Sequence, residues 1–254
     1  MRRYVTTPEP PSTARDGAVP RPLRPSTPYG GPVTRVAVLC DVVIPCRDEA
    51  PALPALLAKL PAGFRAVVVD NGSRDGTAEV ARGLGATVVS EPRAGYGAAV
   101  HAGLEAATAE FVAVMDGDGS MDPVELLPLL SEVVAGRADL AVGRRRPSAR
   151  GVWPWHARAG NALVLWWLRR RIDMPLHDIA PMRVARRQDL LALGVQDRRF
   201  GYPVELLQRS AIAGWRFVEH DIAYHPRAAG TRSKVSGSVL GSVRAARDFA
   251  RVLS

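Results

Sequence analysis

Cysteine is nearly absent from this chain: Cys40 and Cys46 are the only two among 254 residues. They have no metal-type spacing, so a disulfide scaffold is excluded and a reducing cytosol fits best. No stretch approaches the roughly 18 uninterrupted apolar residues that a bilayer span needs. The opening Met1-Arg-Arg-Tyr-Val-Thr-Thr-Pro8 has no apolar core of signal-peptide length behind it. A soluble or peripheral protein is therefore expected. Acidic residues are in deficit, 25 against 34 Lys and Arg, which leaves a net charge of +9. That excess points to an anionic partner: nucleic acid, an acidic membrane surface or a phosphorylated substrate. No Gly-x-Gly-x-x-Gly follows the first apolar run and no Gly-x-x-x-x-Gly-Lys-[Ser/Thr] occurs, so dinucleotide-binding and P-loop readings lose their support. The five histidines show neither i, i+4 pairing nor the acidic neighbours of a zinc site.

Apolar material is plentiful, at 47% of residues, enough for a real core. Residues 1–33 are a Pro-, Thr- and Arg-rich tail that buries too little to offset its ordering entropy, and disorder is expected there. Residues 34–254 read as one domain, with a nucleotide-binding half (34–145) and an acceptor half (146–254). Apolar, β-branched runs at 35–45, 64–69, 86–90, 111–115, 139–142 and 216–224 read as strands. Helical patterns lie between them at about 50–60, 77–84, 97–108 and 122–135, with Asp122 as N-cap and Pro123 at the first position. This alternation predicts an α/β fold: a Rossmann-like, mostly parallel sheet with helices on both faces. The second half is less regular, with helices expected at 162–172, 187–194, 203–213 and 237–253. The segment Ala162 to Ile172 carries Trp166, Trp167 and three arginines, which suit either a core helix or one lying in a membrane interface.

The stretch Phe111-Val-Ala-Val-Met-Asp116-Gly-Asp118-Gly-Ser120 organises the rest. A buried strand stops at two carboxylates, and open α/β sheets bind ligands beyond the carboxyl ends of their strands. Two carboxylates held there repel unless a cation joins them, so Mg²⁺ or Mn²⁺ is the expected partner, its shell completed by water and substrate phosphate. The loops Pro45–Glu49, Asp70–Gly76, Arg93–Gly97 and Asp116–Asp122 should all emerge at this one edge. Asp70 fits either a base or ribose contact or an Asx turn.

Read together, Val42-Val-Ile-Pro-Cys-Arg-Asp-Glu49, Val69-Asp-Asn-Gly-Ser-Arg-Asp-Gly-Thr77 and Met115-Asp-Gly-Asp-Gly-Ser120 resemble family 2 glycosyltransferases of the GT-A fold. Arg93-Ala-Gly-Tyr-Gly-Ala-Ala-Val-His101, Gly143-Arg-Arg-Arg-Pro147, His177-Asp-Ile-Ala-Pro-Met-Arg183, Gly201-Tyr-Pro-Val-Glu-Leu206 and Arg232-Ser-Lys-Val-Ser-Gly237 narrow the resemblance to actinobacterial polyprenyl (dolichyl) phosphate sugar synthases. It implies that Pro45, Glu49, Asp70, Arg93, Gly95, Asp116 and Gly117 line the donor site. Asp116 and Asp118 would hold the divalent ion. Ser120 stands near the place of a glutamine common in the lipid-phosphate enzymes. Arg47 and Asn71 replace the usual Asn and Asp.

Glu205 would face the acceptor, as general base if that acceptor is a hydroxyl. A lipid phosphate needs no base, being already anionic. It needs cations to gather two phosphates, and Arg144, Arg183, Arg232 and Lys234 are the candidates. Asp178 is a better donor-side candidate than His101. The implied reaction carries a hexose from a nucleoside diphosphate (UDP-glucose or GDP-mannose) to a polyprenyl phosphate, at the cytoplasmic face of the plasma membrane. The alternatives are a small hydroxyl acceptor and, more remotely, a basic module that binds nucleic acid, for which no recognition motif is visible.

Overall fold

The computed structural model describes residues 38–231, apart from 173 and 180. The N-terminal tail, the helix expected at 237–253, and Arg232 and Lys234 lie outside them.

Seven strands form one sheet: β1 (Cys40–Cys46), β2 (Phe64–Asp70), β3 (Thr87–Ser90), β4 (Phe111–Val114), β5 (Leu140–Pro147), β6 (Met182–Arg186) and β7 (Phe217–Tyr224). Their order is β3-β2-β1-β4-β6-β5-β7. β1 to β4 are parallel throughout, and β5 runs parallel to β7, while β6 is antiparallel to both β4 and β5. The sheet is therefore mixed, with one reversed strand.

Helices cover both faces, so β1 reads as an unbroken apolar run rather than an alternating one. On one face Val43, Val67 and Val69 pack with α3 (Tyr96–Ala106), α5 (Trp155–Arg169), α6 (Arg187–Ala192) and α7 (Tyr202–Ile212). On the other, Val42, Ile44 and Val68 meet α1 (Leu53–Leu57), α2 (Thr77–Gly83) and α4 (Leu126–Val134). α1 is shorter than its sequence pattern. α4 is preceded by a 3-10 turn (Pro123–Glu125), which Asp122 caps by accepting from the Val124 amide at 3.1 Å. Glycine lets α3 sit close on the sheet, because a Cβ at Gly103 would collide with the Val43 side chain. The one buried carboxylate inside β1, Asp41, is held by Arg65 at 2.7 and 2.9 Å and by the amides of Thr108 and Ala109.

Two parts of the second half differ from expectation. β6 falls in a stretch given no strand, because Arg183 and Arg186 interrupt its apolar pattern. β5 continues to Pro147, so Arg144 to Arg146 lie within a strand paired to β7 rather than after a strand end. α5 carries both faces proposed for it. Asn161, Val164, Leu165 and Leu168 are buried, while Trp155, Leu163 and Trp166 on another face are exposed by 79, 64 and 51%. Among the described residues no helix is long and apolar enough to cross a membrane.

Candidate active site

The carboxyl ends of β1, β2 and β4 bring Glu49, Asp70 and Asp116 around the buried Cys46. Burial and then these three acids push the Cys46 thiol far up, so it is inert packing. Gly117 is needed at the centre: a Cβ there would stand 2.5 Å from Cys46 Sγ and 2.6 Å from Glu49 Oε2. The β1 and β2 loops are stitched together. The Asp48 amide donates to Ser73 Oγ, that of Glu49 to Thr77 Oγ1 and that of Ala50 to Asp75, each at 3.0 Å. Asp70 accepts from the Ser73 amide at 3.0 Å, which is the turn role of this residue.

Burial, and then the charge of Asp118, push the half-buried Asp116 up to about 6. Arg227, Arg145 and Arg183 act in the opposite sense. Asp118 is buried; its Oδ1 accepts from the Ser120 amide at 2.9 Å and its Oδ2 meets Arg227 Nε at 2.8 Å. The backbone after β7 lies along this loop: His225 N donates to Ser120 O at 2.8 Å, and Ala228 N to Asp118 O at 2.9 Å. Two acids this close, each raising the cost of the other's charge, are a hard-oxygen donor set that fits Mg²⁺ or Mn²⁺. Among the described residues no group of three or more His, Cys, Asp or Glu side chains forms a complete protein cage.

The model of glycosyl transferase family 2 matches residues 41–188, more than half the chain. The chain belongs to glycosyl transferase family 2. An uncharacterized glycosyltransferase of Mycobacterium tuberculosis is 60% identical over 213 residues, covering 84% of this chain and 97% of the relative. The polyprenol monophosphomannose synthase of Mycolicibacterium smegmatis is 33% identical, over 78% of this chain and 81% of that one. Among solved structures, glucosyl-3-phosphoglycerate synthase of M. tuberculosis superposes with a TM-score of 0.63 at 19% identity, covering 89% of this chain and 84% of that one. That structure contains Mn²⁺, UDP-glucose and phosphoglyceric acid. The fold is GT-A.

Other candidates of this glycosyltransferase sit elsewhere. Pro45 is half-buried at the end of β1. Arg93 is held by Glu91 at 2.8 and 2.9 Å. A Cβ on Gly95 would collide with the Arg198 carbonyl, which accepts from the Ala98 amide at 2.9 Å, so this glycine serves the packing of α3. Asn71 fastens the same region. Its Nδ2 donates to the carbonyls of Glu91 and Arg93 at 2.8 Å, and its Oδ1 accepts from Gly95 N at 2.9 Å.

Glu205 requires a correction. One oxygen accepts from Gln196 N at 2.9 Å and Arg209 Nε at 2.6 Å, the other from Asp197 N at 2.6 Å. Burial alone would raise its pKa, but these donors hold it below the usual carboxylate range. A carboxylate so occupied is a brace for the 196–199 segment, not a base. Arg183 is corrected as well. It is only 1% exposed and gives Nη2 to Tyr96 Oη at 2.9 Å, so no lipid phosphate reaches it in this conformation. Its buried charge acts on Asp116 instead.

Arg144 lines a groove of about 350 Å³ beside α5, with Asn161, Leu165, Trp166, Arg170 and His177. Next to it Arg145 makes a bidentate pair with the buried Asp178 (2.8 and 2.6 Å) and stacks on Trp153 at 4.1 Å. Asp178 thus positions an arginine rather than facing the donor alone. Sequence reasoning passed over Arg227 and Tyr96. Only the return of the chain after β7 places Arg227 on the Asp118 loop, and nothing in the local sequence signals it.

Proposed function

We propose that this glycosyltransferase is an inverting, divalent-cation-dependent enzyme that moves a hexose from a nucleoside diphosphate to a polyprenyl phosphate. It would work at the cytoplasmic face of the plasma membrane. Asp116 and Asp118 hold the cation, Pro45, Glu49 and Asp70 line the nucleotide, and Arg144 receives the acceptor phosphate in the α5 groove. Arg232 and Lys234 are further candidates for that phosphate. A phosphate oxygen of the acceptor attacks the anomeric carbon, and the bond from that carbon to the diphosphate oxygen breaks, its electron pair leaving with the nucleotide. Bound there, the cation neutralises charge on the departing diphosphate.

The observation that carries the lipid-phosphate reading is the occupation of Glu205. The acid expected to serve a hydroxyl acceptor is tied up by three donors, and an anionic nucleophile needs no base. Two further features support it. Trp155, Leu163 and Trp166 form an exposed apolar stripe on α5, and Arg170 stacks over Trp166 at 4.2 Å, an arrangement suited to a headgroup interface. The mycobacterial relative named above is a polyprenol phosphate enzyme.

The test is a transfer assay with Mn²⁺ or Mg²⁺, UDP-glucose or GDP-mannose, and a short polyprenyl phosphate. Turnover that requires both cation and lipid establishes the reading. Turnover with 3-phosphoglycerate in place of the lipid would move the acceptor to a small phosphorylated hydroxyl compound.

A further inference from the structure

Arg227 is paired with Asp118, one of the two acids proposed to hold the cation. Its Nε lies 2.8 Å from Asp118 Oδ2, and its guanidinium is also bonded to Tyr224. The pairing is built in. His225 N on Ser120 O and Ala228 N on Asp118 O fix the backbone on both sides of Arg227 to the acidic loop. Gly119, at φ +76°, gives that backbone room, since a Cβ there would approach Ala228 Cβ to 3.3 Å. A guanidinium is a fixed monovalent cation with forked donors that match a carboxylate and a phosphate equally well.

We infer that Arg227 is an exchangeable counter-ion: it neutralises Asp118 in the free enzyme and passes to the donor diphosphate when a divalent cation takes its place. The inference rests on the reading of Asp116 and Asp118 as cation ligands. A divalent ion on Asp118 Oδ2 repels the guanidinium beside it. The backbone anchors keep Arg227 within side-chain reach of a diphosphate seated on that ion, so the released charge has one nearby anion to meet. Cation and nucleotide then assist each other, because each removes what opposes the other. Such coupling is reciprocal.

The test is Mn²⁺ binding, followed by the electron paramagnetic resonance of free Mn²⁺, on the full chain with and without saturating UDP or GDP. In wild type, nucleotide should tighten Mn²⁺ binding strongly. In Arg227→Gln, nucleotide-free Mn²⁺ binding should tighten by about tenfold, and the further gain from nucleotide should shrink by a similar factor, as about 1.4 kcal/mol of coupling is removed. Arg227→Lys, which keeps the charge, should fall between. If Arg227→Gln and Arg227→Lys both bind Mn²⁺ as wild type does, with the nucleotide effect intact, Arg227 is a static brace and the inference is overturned. If wild type binds no Mn²⁺ even with nucleotide, or Asp118→Asn binds it as well as wild type, the cation reading of the acids itself falls.

Discussion

The carboxylate of Glu205 receives the backbone amide of Asp197 at 2.6 Å while its other oxygen is shared between Gln196 N and Arg209 Nε. Through this clamp α7 holds the segment whose Arg198 and Arg199 carbonyls accept from Ala98 N and Gly97 N at the start of α3. Glu205→Gln replaces an acceptor oxygen by a donor and leaves a buried amide without its partner, at a cost of about 1–3 kcal/mol. The pH profile should separate brace from base. A base predicts activity that recovers as pH rises. A brace predicts an unmoved profile and a lower melting temperature. The depressed carboxylate contributes stability above its unfolded pKa of about 4.5, and that contribution is lost as pH falls through the still lower folded value. The stability gap between wild type and Glu205→Gln should therefore narrow in acid and not change between pH 6 and 8.

Asp118→Asn should lower kcat by roughly 10²–10³-fold, the scale expected when a group that helps neutralise developing charge is lost. Chelation of divalent ions should silence the wild-type enzyme, and Mn²⁺ or Mg²⁺ should restore it. Activity that persists in the presence of chelator would remove the cation from the reaction.

Exposed tryptophans on α5 give a prediction about membrane contact. Trp155→Ser with Trp166→Ser should weaken binding to vesicles containing acidic lipid, with little change in thermal stability, since both rings already face solvent. Unchanged vesicle binding would rule out this face as the membrane contact.

Asp178→Asn should be among the most destabilising conservative changes. It removes the charge opposite Arg145, whose side chain is 16% exposed, and stripping one partner from a buried ion pair costs about 3–5 kcal/mol. Chemical denaturation would measure it. A loss under about 1 kcal/mol would mean that stacking on Trp153 alone secures Arg145.

Gly103→Ala tests the approach of α3 to the sheet. The added methyl meets Val43, and overpacking of this kind costs about 1–3 kcal/mol although alanine is the better helix former. A melting temperature equal to or above wild type would show that the helix can shift without cost.

The parallel core and the acidic loop were legible because their causes are local. Unbroken β-branched runs at 42–44 and 67–69 read as strands covered on both faces, and Asp116-Gly-Asp118 ends a further apolar run at 111–115. β6 was not legible, since a strand carrying Arg183 makes sense only once a neighbouring carboxylate and Tyr96 are known to surround that charge. Glu205 was misjudged for a related reason: two of its three donors are main-chain amides, which every sequence possesses and none announces. Arg227 belongs to the same class, its meaning being set by how the chain returns after the last strand.

Asn71 joins the loop after β2 to the loop after β3 by three hydrogen bonds, donating to two carbonyls and accepting from one amide. An aspartate at this position would lose both donors, and an alanine would lose everything. The loops after β2 and β3 are consequently fastened to one another, while the Asp118 loop rests on the anchors around Arg227. Exchanging Asn71 would therefore loosen both loops together, whatever it did to a bound donor. Under the donor site proposed above, engineering of donor choice should begin at the exposed Arg47 rather than at Asn71.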